Sequence, residues 1–328
     1  MNAMNAMNAP LTASLPTSGF RRLQQDRPHG QLLLRLHDLS VRNGHDPFAD
    51  IEWDAPENHI DPTDPRHMID ENHALARSAW YAGLSFEQRA RFGLDWLVQV
   101  LKYGIEFESV LNRGLLEFVQ AQPNRAPETR YALHEVVEEA RHSMMFQELI
   151  DRSGCDPHPV SWIERAIDDR VVHWGRSFPE LFFFGVLAGE IFIDEQNREQ
   201  LRKPEQRTHP LVRRIMQIHV IEEARHVRFA ASYLRERLTH LPFLRRERLA
   251  FLIPAIFADT RRMMLEPDRQ LRKRYAIPDS AMRAAFGKGS AHRARVAEML
   301  APVSALCEEY GLHARRHAAL WHAFGLAG

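Results

Sequence analysis

The chain has 328 residues and a mass of 38.1 kDa, enough to bury a large core in one or two domains. Its formal charge is zero and its pI about 7.4, so no basic excess points to nucleic acid and no acidic tail is present. The two cysteines, Cys155 and Cys307, stand far apart, which argues against a disulfide framework or a thiolate metal site and fits a reducing cytosol.

The N-terminus reads MNAMNAMNAP, a short repeat with no basic start and no apolar run, so no secretory signal is expected. Residues 1–20 are small, polar and Pro-punctuated, and are expected to be disordered. Residues 21–328 read as a single domain, expected in the cytoplasm. Leu32 to Leu39 can begin a short helix. Residues 42–73, rich in Pro and Asp, read as an ordered arm whose Phe48 and Trp53 pack on the body.

Ser85 followed by Gln88 is a capping-box signature, and the apolar spacing predicts a long helix from there to about Gln120. Pro127 opens a second helix running to about Arg152, and a linking helix covers Ser161 to Trp174. Pro179 opens a third main helix that ends before Pro204. Its apolar run, Leu181 to Ile193, is interrupted by Glu190 and is too short and polar to span a bilayer. Pro210 opens a fourth, ending before Pro242. A fifth passes Pro254, and shorter helices follow from Asp279. No glycine-rich phosphate turn and no alternating strand pattern is present. The fold class expected is all-α: a ferritin-like four-helix bundle core with an N-terminal arm and extra C-terminal helices.

The pentad EEARH occurs twice, at 138–142 and at 222–226. In each copy Glu and His stand three apart, Glu139 with His142 and Glu223 with His226. At about 100° per residue this puts both side chains on one helix face. A lone Glu-x-x-His is ordinarily a solvated pair. Two of them, each preceded by a helix carrying a lone Glu, make the di-iron or di-manganese bundle pattern. Glu190 is one such residue, a carboxylate within LFFFGVLAGEIFI that must be paired, protonated or metal-bound. In YGIEFESVL the candidates are Glu106 and Glu108, roughly 200° apart, so only one can face the site. Glu108 followed by Asn112 parallels Glu190 followed by Asp194, which favours Glu108. The interval from Glu108 to Glu139 is 31 residues and from Glu190 to Glu223 it is 33, so the chain carries an internal repeat. His219 lies four before Glu223 on the same face, and its counterpart in the first copy is Glu135, a further ligand or a partner of one.

The metal-ligand set read from these patterns is Glu108, Glu139, His142, Glu190, His219, Glu223 and His226. Four carboxylates neutralise two divalent ions, and mixed N/O ligation suits iron or manganese. Glu138 and Glu222 read as surface residues or as partners of ligands, and Arg141 and Arg225 as carboxylate partners. His313 and His317 read as surface or packing residues.

Glu108, EEARH at 138–142, Glu190 and HVIEEARH at 219–226 resemble the p-aminobenzoate N-oxygenase family of di-iron oxygenases, and DPFADIEWDAP at 46–56 resembles that family's N-terminal arm. The resemblance covers roughly residues 40–270. It departs at the first residue of each pentad, Glu where Asp is common.

The resemblance implies two iron ions, or a manganese–iron pair, that activate O2. It implies oxidation of the amine nitrogen of a small-molecule biosynthetic intermediate, free or carried on a carrier protein, to hydroxylamine, nitroso or nitro products. No flavin, nicotinamide or iron–sulfur signature is present, so the electrons are expected from a separate reductase or a small-molecule donor. Phe146, Phe182, Phe183, Phe184, Leu187 and Phe229 are candidates for an apolar pocket wall. A homodimer is carried as an expectation with no residue to argue it; no nucleic-acid or membrane partner is expected. Two other functions share the scaffold: a di-iron hydroxylase, desaturase or oxidative-cleavage enzyme acting on carbon, and a ferritin-like iron-binding protein.

Overall fold

The computed structural model describes residues 28–159, 162–312 and 315–326. The expected disorder of residues 1–20 and the reading of His313 lie outside the described residues.

Helices begin where the sequence supplies a start. Ser85 caps α3 (Phe86–Gln120): its Oγ accepts from the Gln88 backbone N–H at 3.2 Å, and Gln88 Oε1 accepts from the Ser85 N–H at 2.8 Å. Proline, which has no N–H to leave unpaired, opens α4 (Pro127–Ser153), α6 (Pro179–Arg202) and α7 (Pro210–Leu238). α4 stops at Gly154, whose φ of 64° few other residues adopt comfortably. α1 (His29–Arg42) is longer than the sequence suggested. The short α2 (Ala79–Ala82) was not legible at all.

α5 (Trp162–Ser177) links the two halves of the repeat, and α8 (Phe243–Leu265) runs on through Pro254. The tail holds α9 (Arg269–Arg274), α10 (Asp279–Phe286), α11 (Ala291–Glu309) and α12 (Arg315–Ala323). The described residues contain no strand, so the fold is all-α.

α3 packs along α4, and α6 along α7, so the two halves of the repeat form two hairpin-like pairs. α1 lies over α4 and α7, α5 crosses α3, and α8 backs α6. The crossing of α3 and α5 is backbone on backbone: a Cβ on Gly175 would meet the Gly114 carbonyl oxygen at 2.0 Å. The largest apolar cluster joins α3, α6, α7 and α8, and in it Phe118, Phe183, Phe229 and Tyr233 meet edge to face. A second cluster ties Ile51 and Trp53 of the arm to α3, α4 and α7.

Trp53 packs on the body as expected, its indole N–H donating to the Pro47 carbonyl at 2.7 Å, but Phe48 is exposed. No helix of the described residues is long and apolar enough to cross a membrane.

Candidate metal centre

Four helices turn ionisable groups into the middle of the bundle. α3 supplies Glu108, α4 supplies Glu135, Glu139 and His142, α6 supplies Glu190, and α7 supplies His219, Glu223 and His226. None of these is more than 1% exposed. Glu106, two residues from Glu108 and so on another face, instead pairs with Lys102 at 2.7 Å.

Atoms able to ligate a cation form three overlapping groups, each within 4.8 Å: Glu108, His142, His219 and Glu223; Glu135, Glu139 and His226; Glu139, Glu190 and Glu223. Glu139 and Glu223 each belong to two groups and therefore stand between the others. His142 turns Nδ1 inward, 2.9 Å from Glu139 and 3.1 Å from Glu223. His226 does the same at 2.7 Å and 3.0 Å. The seven residues read from sequence thus converge, and Glu135 joins them.

The donor set fits divalent metal. Both oxygens of Glu108, Glu135 and Glu190, one oxygen each of Glu139 and Glu223, and His219 Nε2 are buried without a hydrogen-bond partner. Buried acceptors in that number are costly unless something cationic satisfies them. Their protonation shows the same tension. Burial, then the Glu139 charge, pushes Glu108 well above the usual carboxylate range; burial, then Glu223, does so for Glu190. Burial raises Glu135 to about 8. Burial also opposes the charge on Glu139 and Glu223, but the imidazoles beside them outweigh it and hold both low. His142 and His226 are buried too, yet the surrounding carboxylates hold both well above the usual histidine range. A cluster of this kind is repulsive until cations sit between its carboxylates.

Glu138 and Glu222 are not surface residues, which corrects one of the two readings made from sequence. Both are buried, and each meets the histidine of the other pentad: Glu222 lies 2.9 Å from His142 Nε2, and Glu138 2.8 Å from His226 Nε2. Arg225 pairs with Glu138 at 2.6 Å, and His45 of the arm donates its backbone N–H to Glu222 at 3.1 Å. The position failed as a surface reading because α4 and α7 face each other, so the flank of each pentad looks at its partner helix and not at solvent.

Two neighbours were missed. The Asn197 amide lies 3.2 Å from His219 Nδ1; Asn197 is seven residues after Glu190, a same-face interval that could have flagged it. Tyr131, four before Glu135, buries an unpartnered hydroxyl beside His226 and Glu135.

A cavity of about 170 Å³ reaches His219 from outside the cluster. Its lining includes the apolar Val100, Leu101, Phe146, Ile193, Ile215 and Met216, with Asn197 beside the histidine. Of the residues expected to line a pocket, Phe146 does. Phe182, Phe183, Phe184 and Leu187 of α6 and Phe229 of α7 are buried in the largest apolar cluster instead, because the run Leu181–Ile193 is apolar around most of the helix and packing chose which side faces the core. His317, expected to be a surface or packing residue, lies 3.3 Å from Glu247.

Residues 26–311 match the family described as p-aminobenzoate N-oxygenase AurF, a longer stretch than the sequence motifs covered. Uncharacterized proteins from two strains of Mycobacterium tuberculosis and from Mycobacterium bovis are similar to the chain, each 35% identical over 287 residues, 88% of this chain and 84% of the relative. No solved structure matches it.

Proposed function

The chain belongs to the p-aminobenzoate N-oxygenase AurF family, and from that membership we propose that it is a di-iron monooxygenase acting on the amine nitrogen of a small molecule. Glu108, Glu139, His142, Glu190, His219, Glu223 and His226 would hold the two ions, with Glu135 as a further carboxylate beside His226. A manganese–iron pair would suit the same donors. Bound iron supplies the dioxygen and electron chemistry that no side chain here can perform.

The chain's own residues set the conditions for it. Glu222 and Glu138 accept from Nε2–H of His142 and His226 and so leave the inward Nδ1 lone pairs free for metal. An amide can present either its oxygen or its nitrogen, and Asn197 turned oxygen-first would accept from Nδ1–H of His219 and leave Nε2 free. A substrate filling the cavity would displace water from it, and the apolar side chains of its wall would orient the amine toward the cluster. In the first oxidation one dioxygen, two electrons and two protons convert R–NH2 to R–NHOH and water. The electrons come from a separate reductase or a small-molecule donor.

The observation that carries this reading is that the cavity wall includes His219, so a bound amine would abut the carboxylate–imidazole cluster. The test is reconstitution with ferrous iron, a count of iron per chain, and exposure of the reduced protein to 18O2 with a panel of aryl and alkyl amines. Two irons per chain and products heavier by one or two labelled oxygens on nitrogen are expected. Many irons per chain would favour storage, and turnover of C–H substrates alone would favour oxidation at carbon.

A further inference from the structure

The outer side of α4 carries an apolar stripe. Leu133, Val137, Ala140 and Met144 are all exposed, and stand four, three and four residues apart. That is the heptad spacing with which one helix packs along another. The opposite side of the same helix holds Glu135, Glu139 and His142, all fully buried, so the stripe belongs neither to the metal centre nor to the core. A helix face meant for water carries polar residues at such positions.

A second apolar row runs beside the first. α1 and the arm lie parallel to α4: His29 meets Glu128 at 3.3 Å, the rings of His37 and His134 stand 4.6 Å apart, and further on Arg152 donates to the Trp53 carbonyl at 2.9 Å. Along this row Leu34, Val41 and Phe48 are seven residues apart. These three, with Leu133, Val137 and Met144, are between 41% and 64% exposed. Neighbouring apolar rows on an outer surface mark a place where a protein is covered.

Charge selects what covers it. The end of this face at the start of α4 carries the exposed Arg35, Arg125 and Arg130, against Asp38. The far end carries the exposed Asp46, Asp54 and Asp151 around Arg152, which pairs with Asp54 at 2.8 Å. A second copy turned end for end would set basic end against acidic end. In a two-fold contact each residue meets its counterpart twice, in reverse. With α4 antiparallel to its own copy and Val137 on the partner's Ala140, Leu133 falls on the partner's Met144. Arg130 then lies opposite the partner's Gln147, one turn from the partner's Asp151. A parallel pairing would set like charges together.

We propose that the chain forms a two-fold homodimer through the α1–α4 face, with the two α4 helices antiparallel. This goes beyond the proposed chemistry and does not depend on it. The contact also covers the arm around His45, whose backbone N–H holds Glu222 at 3.1 Å, so each copy braces the support of its partner's metal ligands.

The experiment is sedimentation equilibrium of the full-length protein, loaded with ferrous iron, over a concentration series. A dimer of two 38.1 kDa chains is expected. Val137→Glu buries a charge in the stripe twice per dimer and should weaken association about 100-fold or more. Val41→Glu on the other row should act in the same direction, and both should keep native circular dichroism because the positions are exposed. Arg130→Glu should weaken association about tenfold by facing the partner's Asp151, and combining it with Asp151→Arg should restore the dimer. A monomer at every concentration assigns the stripe to another occupant, a different protein or the chain's own residues 1–27, and overturns the inference. A dimer that both glutamate variants leave intact uses another face and overturns it too. Failure of the charge exchange to restore association rules out the antiparallel arrangement.

Discussion

Glu222 on α7 and His142 on α4 are joined across 80 residues of chain by a 2.9 Å hydrogen bond to Nε2, and Glu138 and His226 repeat the bond in the opposite direction at 2.8 Å. Each pentad's first glutamate orients the other pentad's histidine. The doubled motif is therefore one interlocked unit, and neither half can assemble its imidazole alone.

Removing one of these bonds should loosen the metal without unfolding the helices. Glu222→Ala is expected to lower metal affinity about 10- to 100-fold, the usual effect of losing a ligand's outer partner. Competition against a chelator measures it. Glu138→Ala should do the same and also lower the melting temperature more, because it strips the buried Arg225 of its 2.6 Å partner.

Glu135 and His219 occupy equivalent places in the repeat, each four before the carboxylate of its Glu-x-x-His. His219→Ala should keep native helix content, since the side chain borders a cavity, yet lose oxygen consumption by the reduced protein. Glu135→Gln should weaken one of the two irons in a titration, the one beside His226. Unchanged titration in that variant would remove Glu135 from the ligand set.

Stability should fall in mild acid. Burial lowers His67 and His73 to about 4 in the folded chain, whereas unfolded histidine titrates near 6.5. The unfolded state then binds more protons between these values. This contribution is complete above about pH 6.5 and is lost as pH falls toward 4. For His67, which is almost fully buried, the loss at pH 5 relative to neutral pH is about 2 kcal/mol. Urea midpoints at pH 5 and pH 7 should differ accordingly, and His67→Phe should shrink the difference.

A methyl group should be costly in one place and welcome in another. A Cβ on Gly93 of α3 would lie 1.9 Å from the His67 carbonyl oxygen, so Gly93→Ala must displace the segment that carries the outer cavity wall. A loss of about 1–3 kcal/mol is expected, together with weaker ligand binding. Gly185, inside α6 with nothing within 4 Å of its Cβ position, is the control. Gly185→Ala should be neutral or stabilise by roughly 0.5–1 kcal/mol. Thermal melts of the two variants compare them directly.

The main helices were legible because their boundaries are local. Ser85 with Gln88, and the prolines at 127, 179 and 210, act within one turn of the chain. The convergence of Glu-x-x-His with a lone glutamate was legible because helical periodicity fixes the angle between side chains on one rod. The same rule chose Glu108 over Glu106 once the two halves were compared.

What periodicity leaves open is what a face meets. Glu138 and Glu222 read as solvated or supporting until α4 and α7 were set face to face. The phenylalanines of α6 read as pocket wall until packing turned them into the core. The cavity, with His67 and His209 in its lining, draws on a loop and a helix end more than a hundred residues apart, and no local pattern links them. The sequence by itself thus determined the rods and the carboxylate and imidazole character of their inner faces, because both depend on spacing within a helix. Only the tertiary structure decided which helices oppose one another, which histidines those outer glutamates orient, and what lines the cavity, because these depend on contacts between segments whose separation along the chain carries no geometric information.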